Sequence, residues 1–597
     1  RSSEEEAYIG EKRDTFVAGT FNSFDENEVT ELPNVPDMWG MEFVINDQRF
    51  SLTQGLVRNY SKRLNLKNGE LSREFIWELN DIKLKFIFQR FISKKRQHLQ
   101  ISHLELSNLT DRAVSIKIHS GINGQVSNEG SQHFTDGEKG LINGKFIQMM
   151  SMTTHSKIQF VQTVEHKFDI RLSERPETGR RAFFMNYNFE LAADSSFTVE
   201  KRGSVYTSID NDLESQDLNV IRRQAVHELE KLTYQELLTE SQLAWQQIWE
   251  KHPIKIDSEN FRDQLAIRFA KYHLHVMAPA HNEHMNIGAK GLSGEGYKGH
   301  TFWDTEVFML PYFNFTHPEI AKNLVTYRYL GLDGAHKKAK VNGYEGAQYP
   351  WEAANPADGE VTPVWGAADI VTGQSIKIWS GFIEQHITSD VAFGIKQYID
   401  VTGDKVFEVE KAYEILIDTA KFWASRLEYI QEDDSYEIRD VIGPDEYKEH
   451  VNNNAYTNYT AHWNVNFAID LIQKLKSQKP DIYDKLDQKF NLNLLTENLS
   501  EKVDKIFLPK ATADGIIPQD DTYLSKKILD LQKYRDSDGV DSLFHDYNLE
   551  QVNQMQITKQ ADVLLLMLLF EGLFDKEQKL KKALESVREE YYKTRKK

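Results

Sequence analysis

Cysteine is absent from the 597 residues of this chain. That absence excludes disulfide bonds, thiolate metal sites and a cysteine nucleophile. Basic residues are outnumbered by acidic ones, since 72 Lys and Arg stand against 91 Asp and Glu, giving a formal net charge of −19. Nucleic-acid-binding proteins usually carry a basic surface, so this balance argues against a nucleic-acid partner. It is typical of proteins that act on neutral or small ligands.

Long apolar runs and a recognisable leader are missing as well. The longest apolar run, residues 563–570, is far too short to cross a bilayer, and no signal peptide is visible. We therefore expect a cytoplasmic protein with no membrane partner. The chain begins at Arg1 without a methionine, so a preceding segment stays possible.

The first third of the chain has the pattern of β-strands. Apolar and polar residues alternate over residues 75–79 and again over 82–88, on either side of Asn80-Asp81. Two period-2 runs around such a turn predict a β-hairpin, and the pattern recurs at 114–118. We predict an N-terminal antiparallel β-sandwich over residues 1–211.

The pattern changes near residue 212. Residues 212–251 are rich in Glu, Gln and Leu and contain no Gly or Pro, which predicts one or two helices in a linker over 212–257. From residue 258 to 597 helices dominate, and the long loops between them contain Trp, Tyr and His, which favours ordered, functional loops. The predicted helices are 262–277, 302–310, 318–341, 382–402, 405–429, 459–476, 526–533, 559–574 and 576–592.

One of these loops displays two neighbouring carboxylates. Gly443-Pro444 breaks regular structure, which places Asp445 and Glu446 in a turn, and Asn and Tyr residues follow it. A general acid for glycosidic cleavage is a carboxyl group with a raised pKa beside a sugar oxygen. The alternative is an ordinary Pro-Asp-Glu turn in which Asp445 makes an Asx-type hydrogen bond.

A glycine-rich loop at 294–306 runs into a predicted helix. Trp303 offers a flat face for stacking on a sugar ring, and Asp304 could accept hydrogen bonds from a pair of hydroxyls. Thr301-x-x-Asp304 also matches a capping box, which would make Asp304 a helix start signal, and the two roles are compatible. No Gly-Lys-Ser/Thr follows these glycines, so they do not form a phosphate P-loop.

Two more segments place an aromatic or a histidine beside a carboxylate. Tyr349-Pro-Trp351-Glu352 offers a second sugar platform, although a buried loop aromatic explains Trp351 equally well. Glu384 and His386 lie off the apolar stripe of their predicted helix, so they either face a cavity or are solvated.

The segment 558–563 precedes an apolar helix. Thr558 is a plausible N-cap, which would put Lys559, followed by Gln560, in the first helical turn. A lysine there is slightly unfavourable on its own, but together with the helix N-terminus it could receive hydroxyl or phosphate oxygens. The 19 histidines show no His-Glu-x-x-His pattern, so we expect no metal site.

Together, segments 294–306, 349–352, 443–459 and 558–563 resemble glycoside hydrolase family 65. The likeness runs over nearly the whole chain, with the motifs in the family's order. Bacterial members of that family are inverting disaccharide phosphorylases acting on maltose, trehalose, kojibiose and related α-glucosides. The Gly294-Glu-Gly-Tyr-Lys-Gly-His300 version is nearer the kojibiose, trehalose and glucosylglycerol branch than the maltose branch.

The resemblance implies a multidomain fold: an N-terminal β-sandwich, a helical linker, an (α/α)6 barrel and a small C-terminal β-domain. It implies Glu446 as the general acid. Phosphate is implied as co-substrate without any other cofactor, and homodimers are usual in the family. The residues implied to hold the transferred glucosyl unit are Trp303, Asp304, Lys559 and Gln560, with Trp351, Glu352, Glu384 and His386 around the same pocket.

The implied reaction is a single displacement. Glu446 protonates the glycosidic oxygen while phosphate attacks C1 from the opposite face, which gives β-glucose 1-phosphate and the free acceptor sugar. Phosphate is already an anionic nucleophile, so no second carboxylate is needed as a base, whereas an inverting hydrolase requires one.

The sequence departs from the family pattern at its ends. A His-x-Ser-Ser-Leu-Ser motif that supplies phosphate contacts in the family has no counterpart here, and the chain stops at Lys597. We therefore expect an incomplete barrel, truncation at both ends and poor phosphate binding.

Two alternatives to the phosphorylase remain open at this point. A hydrolase of the same family, trehalase-like, would need a water-activating carboxylate across the pocket from Glu446. A sugar-binding remnant without turnover would keep Trp303 and Asp304. Product formation that depends on phosphate distinguishes a phosphorylase from the hydrolase. Binding of a glucoside without turnover identifies the sugar-binding remnant.

Overall fold

The computed structural model describes residues 14–570, apart from 26–27, 231, 514, 532–533 and 535–541. These residues form two compact units. The first contains the described residues up to Ala278 together with Lys290–Gly299, and the second contains Pro279–Ala289 and the described residues from His300 onward.

The first unit is built mainly from antiparallel strands. Its described strands are β1 (Met41–Ile45), β2 (Gln48–Arg49), β3 (Leu56–Asn65), β4 (Glu70–Leu79), β5 (Ile82–Ile92), β6 (Leu99–Asn108), β7 (Val114–Asn123), β8 (Phe134–Ile142), β9 (Phe146–Thr153), β10 (Gln159–Phe168), β11 (Ser173–Gly179), β12 (Ala182–Leu191) and β13 (Ser196–Thr207). They form a five-stranded sheet, β11-β12-β7-β1-β2, and an eight-stranded sheet, β3-β4-β5-β6-β13-β10-β9-β8.

The two sheets share one hydrophobic core, so they pack face to face as a sandwich. Phe43 and Ile116 of the five-stranded sheet contribute to the same buried cluster as Phe75 and Phe86 of the other. The predicted hairpin is β4–β5, and Asn80 at its turn has a φ of 54°. The predicted N-terminal antiparallel sandwich is thereby confirmed.

The predicted linker forms helices that pack on the eight-stranded sheet. They are α1 (Leu218–Glu230) and α2 (Tyr234–Lys251), and α3 (Phe261–Met277) follows beyond the predicted linker. Ile221 of α1 packs with Met150 and Val161, and Leu237 of α2 packs with Phe91. These helices group with the first unit, and the division at residues 211 and 257 stays a prediction.

The second unit is mainly helical, and α8, α10 and α11 pack against one another in it. The implied barrel of six helical pairs stays a prediction. The described elements are α4 (Leu310–Thr316), α5 (Pro318–Leu330), α6 (Leu332–Val341), β14 (Trp365–Ala368), β15 (Ser375–Lys377), α7 (Ser380–Ile383), α8 (Ile387–Thr402), α9 (Lys405–Phe407), α10 (Tyr413–Arg426), β16 (Glu428–Ile430), β17 (Ser435–Glu437), α11 (Ala455–Gln478), α12 (Pro480–Phe490), α13 (Leu492–Val503), α14 (Leu549–Asn553) and α15 (Asp562–Leu569), with π-helical turns at Thr305–Met309 and Glu408–Ala412.

Several predicted helix positions need correction. No helix covers residues 526–531, where Lys527 instead makes an isolated bridge to Met555. The helix predicted at 302–310 is a π-helical turn continued by α4, and the one predicted at 559–574 begins only at Asp562. The prediction at 576–592 lies outside the described residues. Within the described part, no helix is long and apolar enough to cross a membrane.

Candidate active site

The Gly443-Pro444 turn is anchored at both of its flanks. Val441 pairs with Val451, and the Ile442 N–H donates to the Ile383 carbonyl at 3.2 Å. A side chain at Gly443 would collide with Asn454, because a Cβ there would lie 2.3 Å from its Nδ2. Glycine is therefore required for this close approach. The anchored turn directs Asp445 into the interior and leaves Glu446 partly exposed.

Asp445 joins this turn to the segment before α15. Its Oδ1 accepts hydrogen bonds from the backbone N–H groups of Lys559, at 2.8 Å, and Gln560, at 3.4 Å. It also accepts one from the Tyr447 N–H at 3.4 Å, as the Asx-type alternative predicted. Burial is the main cause that raises the pKa of Asp445.

Glu446 contacts the side chains that follow those two amides. Its Oε1 lies 2.7 Å from Lys559 Nζ and 3.3 Å from Gln560 Nε2. The Glu446 side chain is 31% exposed, so a ligand can reach it. Consecutive residues of one loop therefore hold consecutive residues of the other, Asp445 through the backbone and Glu446 through side chains.

Thr558 does not cap the following helix, which corrects the sequence prediction. Helix α15 begins at Asp562, with Ala561 at its N-cap and no side-chain capping bond. Thr558 is fully buried and its Oγ1 has no hydrogen-bond partner within the described structure. Lys559 and Gln560 therefore lie in a turn outside the helix, where the predicted dipole penalty on Lys559 does not arise.

Two tryptophans approach the imidazole of His386. The ring centroids of Trp303 and His386 lie 4.9 Å apart, and those of Trp351 and His386 lie 6.0 Å apart, both edge to face. Tyr456 contacts Trp303 and His386 in the same way. The predicted sugar platforms, Trp303 and Trp351, are thus brought to one place, and each is 7% exposed.

Glu384 and His386 are completely buried, so the solvated alternative for them is wrong. His386 Nδ1 lies 2.6 Å from Asp390 Oδ2 and its Nε2 lies 3.2 Å from Glu384 Oε1. Burial lowers the pKa of His386, but the Asp390 and Glu384 carboxyls outweigh it and raise that pKa to about 9. Burial raises the pKa of Glu384 to about 8, which favours a neutral carboxyl at pH 7.

Asp304 does not form the capping box that its spacing from Thr301 suggested, because the Thr301 N–H donates to the Ala353 carbonyl at 2.8 Å. Its own backbone is helical (φ −51°, ψ −36°), and its side chain makes no capping hydrogen bond to the turn that follows. Burial and the nearby charge of Glu446 raise the pKa of Asp304. The Glu446 charge also raises the pKa of Glu384, so the three carboxyls interact within one site.

Glu352 faces a histidine that the sequence analysis did not single out. Its Oε2 lies 2.6 Å from His300 Nδ1, and both residues are buried. Burial raises the pKa of Glu352, while His300 opposes that shift. The Trp351 and Glu352 N–H groups donate to Glu360, which orients this segment.

All nine candidate residues lie in the second unit, and contacts or charge interactions link them or their sequence neighbours. Their roles stay predictions. The sequence did not point to Asp390, Gln519 and Asp562. Asp390 contacts His386, and Gln519 donates to both Asp445 and Asp562. Asp562 lies inside the singled-out segment 558–563, whereas Gln519 carries no local signal.

Within the described residues, one group of side chains has ligand atoms spaced for a metal ion. It consists of His98, Asp210 and Asp212 in the first unit. Its atoms already have partners, because His98 Nε2 contacts Asp212 at 2.9 Å and Asp210 accepts from the Thr207 N–H and hydroxyl. These contacts explain the cluster without an ion.

Comparisons with known proteins cover both units. A family model described as "Glycosyl hydrolase family 65 central catalytic domain" matches residues 268–595, and one described as "Glycosyl hydrolase family 65, N-terminal domain" matches residues 1–248. The two matched ranges leave residues 249–267 and 596–597 uncovered, and the expected truncation at both ends is not borne out. The poor phosphate binding that was expected with it stays a prediction.

Individual relatives agree with the family models. A kojibiose phosphorylase from Halothermothrix orenii is 43% identical over 595 residues, covering 97% of this chain and 75% of the relative. One from Escherichia coli K12 is 34% identical over 567 residues, covering 95% and 72%. The solved structure "Putative kojibiose phosphorylase from human microbiome" matches with a TM-score of 0.83 at 20% identity, covering 99% of this chain and 76% of that one, and shows a shared fold.

Proposed function

Because the chain belongs to glycosyl hydrolase family 65, we propose that it is a phosphorylase that cleaves an α-glucosidic disaccharide with inorganic phosphate and inverts the configuration at C1. The observation that carries the proposal is the contact of Glu446 with Lys559 and Gln560, in a site edged by Trp303 and Trp351. Kojibiose is the first substrate to test, since both relatives described above are kojibiose phosphorylases.

In the proposed reaction Glu446 gives its proton to the glycosidic oxygen as the C1–O bond breaks. A phosphate oxygen forms the new bond at C1 from the opposite face. The products are β-glucose 1-phosphate and the acceptor sugar with a free hydroxyl, and Glu446 is left as a carboxylate. Phosphate brings its own negative charge, so a base that activates water is not required.

Lys559 has to change partner during this reaction. In the structure its ammonium lies 2.7 Å from the Glu446 carboxyl. For Glu446 to donate a proton, Lys559 must instead bind oxygens of the ligand. Gln560 contacts the same carboxyl oxygen at 3.3 Å, and its amide can turn with Lys559 toward the sugar.

The buried residues Glu384 and His386 supply polar groups that are held in place. Glu384 is held next to the His386 imidazolium, and its Oε2 has no hydrogen-bond partner within the described structure. A neutral Glu384 carboxyl can donate a hydrogen bond to a sugar hydroxyl, while Asp304 can accept from one. Trp303 and Trp351 supply the apolar contact.

The experiment that tests the function is an assay of the chain with a panel of α-linked disaccharides. Kojibiose, nigerose, trehalose, maltose and glucosylglycerol are incubated with and without inorganic phosphate, and glucose 1-phosphate and glucose are measured separately. Glucose 1-phosphate that forms only with phosphate supports the proposal. Equal glucose release without phosphate identifies a hydrolase, and binding of a disaccharide without turnover identifies a sugar-binding protein.

Replacing Asp304 with alanine tests the assignment of the glucosyl site. We expect kcat/KM for the preferred disaccharide to fall by about 10²-fold, because a hydrogen bond to a charged group contributes roughly 1.5–3 kcal/mol. Affinity for β-glucose 1-phosphate, measured by calorimetry, should fall in parallel. The control is D333A, which removes an exposed aspartate of α6. An unchanged kcat/KM in D304A would remove Asp304 from the site.

A further inference from the structure

Behind Glu446 lies a set of polar side chains that the proposed reaction does not touch. They are Asp445, Asn454, Gln519 and Asp562, and each is no more than 1% exposed. They come from four separate segments of the second unit. Burial of polar groups is unfavourable unless they form hydrogen bonds, so we expect these four side chains to bind one another.

Gln519 bridges the two buried aspartates. Its Nε2 donates to Asp445 Oδ2 at 2.9 Å and to Asp562 Oδ1 at 3.0 Å. Rotation of this amide by half a turn would place its carbonyl oxygen against two carboxyl groups, so the contacts fix its orientation. Asn454 Nδ2 donates to the other oxygen of Asp562 at 3.0 Å.

The bridge is itself fixed to a long helix. Asn454 is the N-cap of α11, and its Oδ1 accepts from the Thr457 N–H at 3.0 Å. The Ala455 N–H donates to the Gln519 carbonyl at 2.8 Å. Asp562 is the first residue of α15. The network therefore joins the starts of two helices to the two loops of the candidate active site.

We propose that Asp445, Gln519 and Asp562 form a clamp whose function is to position Glu446 against Lys559 and Gln560. Asp445 holds the backbone of the 559–560 turn, and Gln519 holds Asp445 to Asp562 at the beginning of α15. The three are positioning residues, since none of them contacts the proposed reacting atoms. The inference rests on the proposed function, because it assigns a role to the placement of Glu446.

The electrostatics of the clamp agree with this role. Burial and the charge of Asp445 raise the pKa of Asp562 to about 7, so at neutral pH one of the two carboxyls readily carries a proton. The buried ammonium of Lys448 acts on Asp445 in the opposite direction. Both oxygens of Asp445 and both of Asp562 accept hydrogen bonds, while Gln519 Oε1 has no partner within the described structure. Carboxyl groups bonded in this way in a low-dielectric interior resist displacement, which rigidifies the loops that they join.

Substitution of Gln519 with leucine removes the bridge, and D562N weakens it while preserving shape. We expect kcat for the disaccharide to fall by about 10²-fold in Q519L, because a shift of about 1 Å in a catalytic group can cost that much. The loss in D562N should be smaller. With α-glucosyl fluoride and phosphate as substrates, the fold loss of kcat in both variants should be less than a tenth of the loss with the disaccharide. The reason is that fluoride leaves without a proton from an acid.

The matched control is Q556L. Gln556 is also a buried glutamine, and its Nε2 donates to the Leu524 and Lys526 carbonyls, which lie outside the clamp. Q556L measures the effect of removing a buried amide outside the clamp. Any loss of kcat in this variant should therefore be the same for the disaccharide and for α-glucosyl fluoride. Equal losses on both substrates in Q519L and D562N, or wild-type rates on both, would overturn the positioning role.

Amide hydrogen exchange measures how firmly the clamp holds the two loops, and it does not require turnover. Q519L and D562N should accelerate exchange of the peptides that contain residues 443–447 and 558–560, and Q556L should leave them unchanged. Unaltered exchange in both variants would overturn the clamp even in an active enzyme. Failure of the proposed function is a separate result, namely a wild-type chain that produces no glucose 1-phosphate from any disaccharide of the panel.

Discussion

In the Glu446→Gln variant, phosphate-dependent cleavage of the disaccharide is expected to fall by about 10³-fold, within the range of 10²–10⁴ that general acid–base catalysis contributes. The amide is nearly the same size as the carboxyl group and can still contact Lys559 and Gln560. It cannot give up a proton to the glycosidic oxygen. Sugar binding, measured by calorimetry with β-glucose 1-phosphate, should therefore change little while kcat falls.

Two comparisons make this experiment specific for proton transfer. α-Glucosyl fluoride needs no acid, so E446Q should retain most of its rate with that substrate and phosphate. E449Q tests a rival on the same loop, since burial raises the pKa of Glu449 to about 7, with His450 opposing and Glu446 adding to the shift. Activity retained by E446Q and lost by E449Q would reassign the acid to Glu449.

The second large effect is expected from the buried ion pair between Arg328 and Glu306. Arg328 Nε and its terminal nitrogen bind Glu306 Oε1 and Oε2 at 2.7 and 2.8 Å, and the same nitrogen donates to the Phe302 carbonyl at 3.0 Å. Both charged side chains are almost completely buried. In Arg328→Met the Glu306 charge loses its partner, and the second unit should lose about 3–5 kcal/mol of stability.

The double variant R328M/E306M separates this cause from loss of packing. When both charges are replaced by apolar side chains, the desolvation cost disappears, so the double variant should unfold at a higher temperature than R328M. K405M is the control, since it removes the exposed lysine of the Lys405–Glu408 pair and should change the same transition little. A double variant less stable than R328M would contradict the explanation. Loss of the Phe302 contact should also lower activity, because Trp303 follows it.

The parts of the fold that the sequence predicts are those set by neighbouring residues. The β4–β5 hairpin follows from period-2 alternation on both sides of Asn80-Asp81, and Asn80 adopts the positive φ that such a turn requires. Helices α1 and α2 likewise follow from apolar periodicity in a segment without Gly or Pro. These signals are local, so no tertiary contact is needed to interpret them.

Local signals misled where tertiary contacts override them. Thr301-x-x-Asp304 has the spacing of a capping box, but the Thr301 N–H donates to the Ala353 carbonyl in an isolated bridge and the Asp304 side chain makes no capping hydrogen bond. Thr558 precedes an apolar run like an N-cap, yet Asp445 binds the two amides that follow it. The conformation after Thr558 therefore depends on Asp445, which lies more than a hundred residues away in the sequence.

The candidate site itself was partly visible in sequence because its loops carry unusual residues. Trp303, Glu446 and Lys559 were found from motif chemistry and from the family resemblance. Gln519 was not, because a single glutamine in a loop has no pattern. Its importance arises only when the fold brings it within 3 Å of Asp445 and Asp562.

We propose that this chain transfers a glucosyl unit from an α-glucoside to phosphate with inversion at C1. The most direct test is to follow the wild-type chain with kojibiose and phosphate by proton and phosphorus magnetic resonance from the first minutes of reaction. We expect β-glucose 1-phosphate to accumulate together with glucose, and neither product to form when phosphate is omitted. Initial formation of the α-anomer, or glucose release without phosphate, would contradict it.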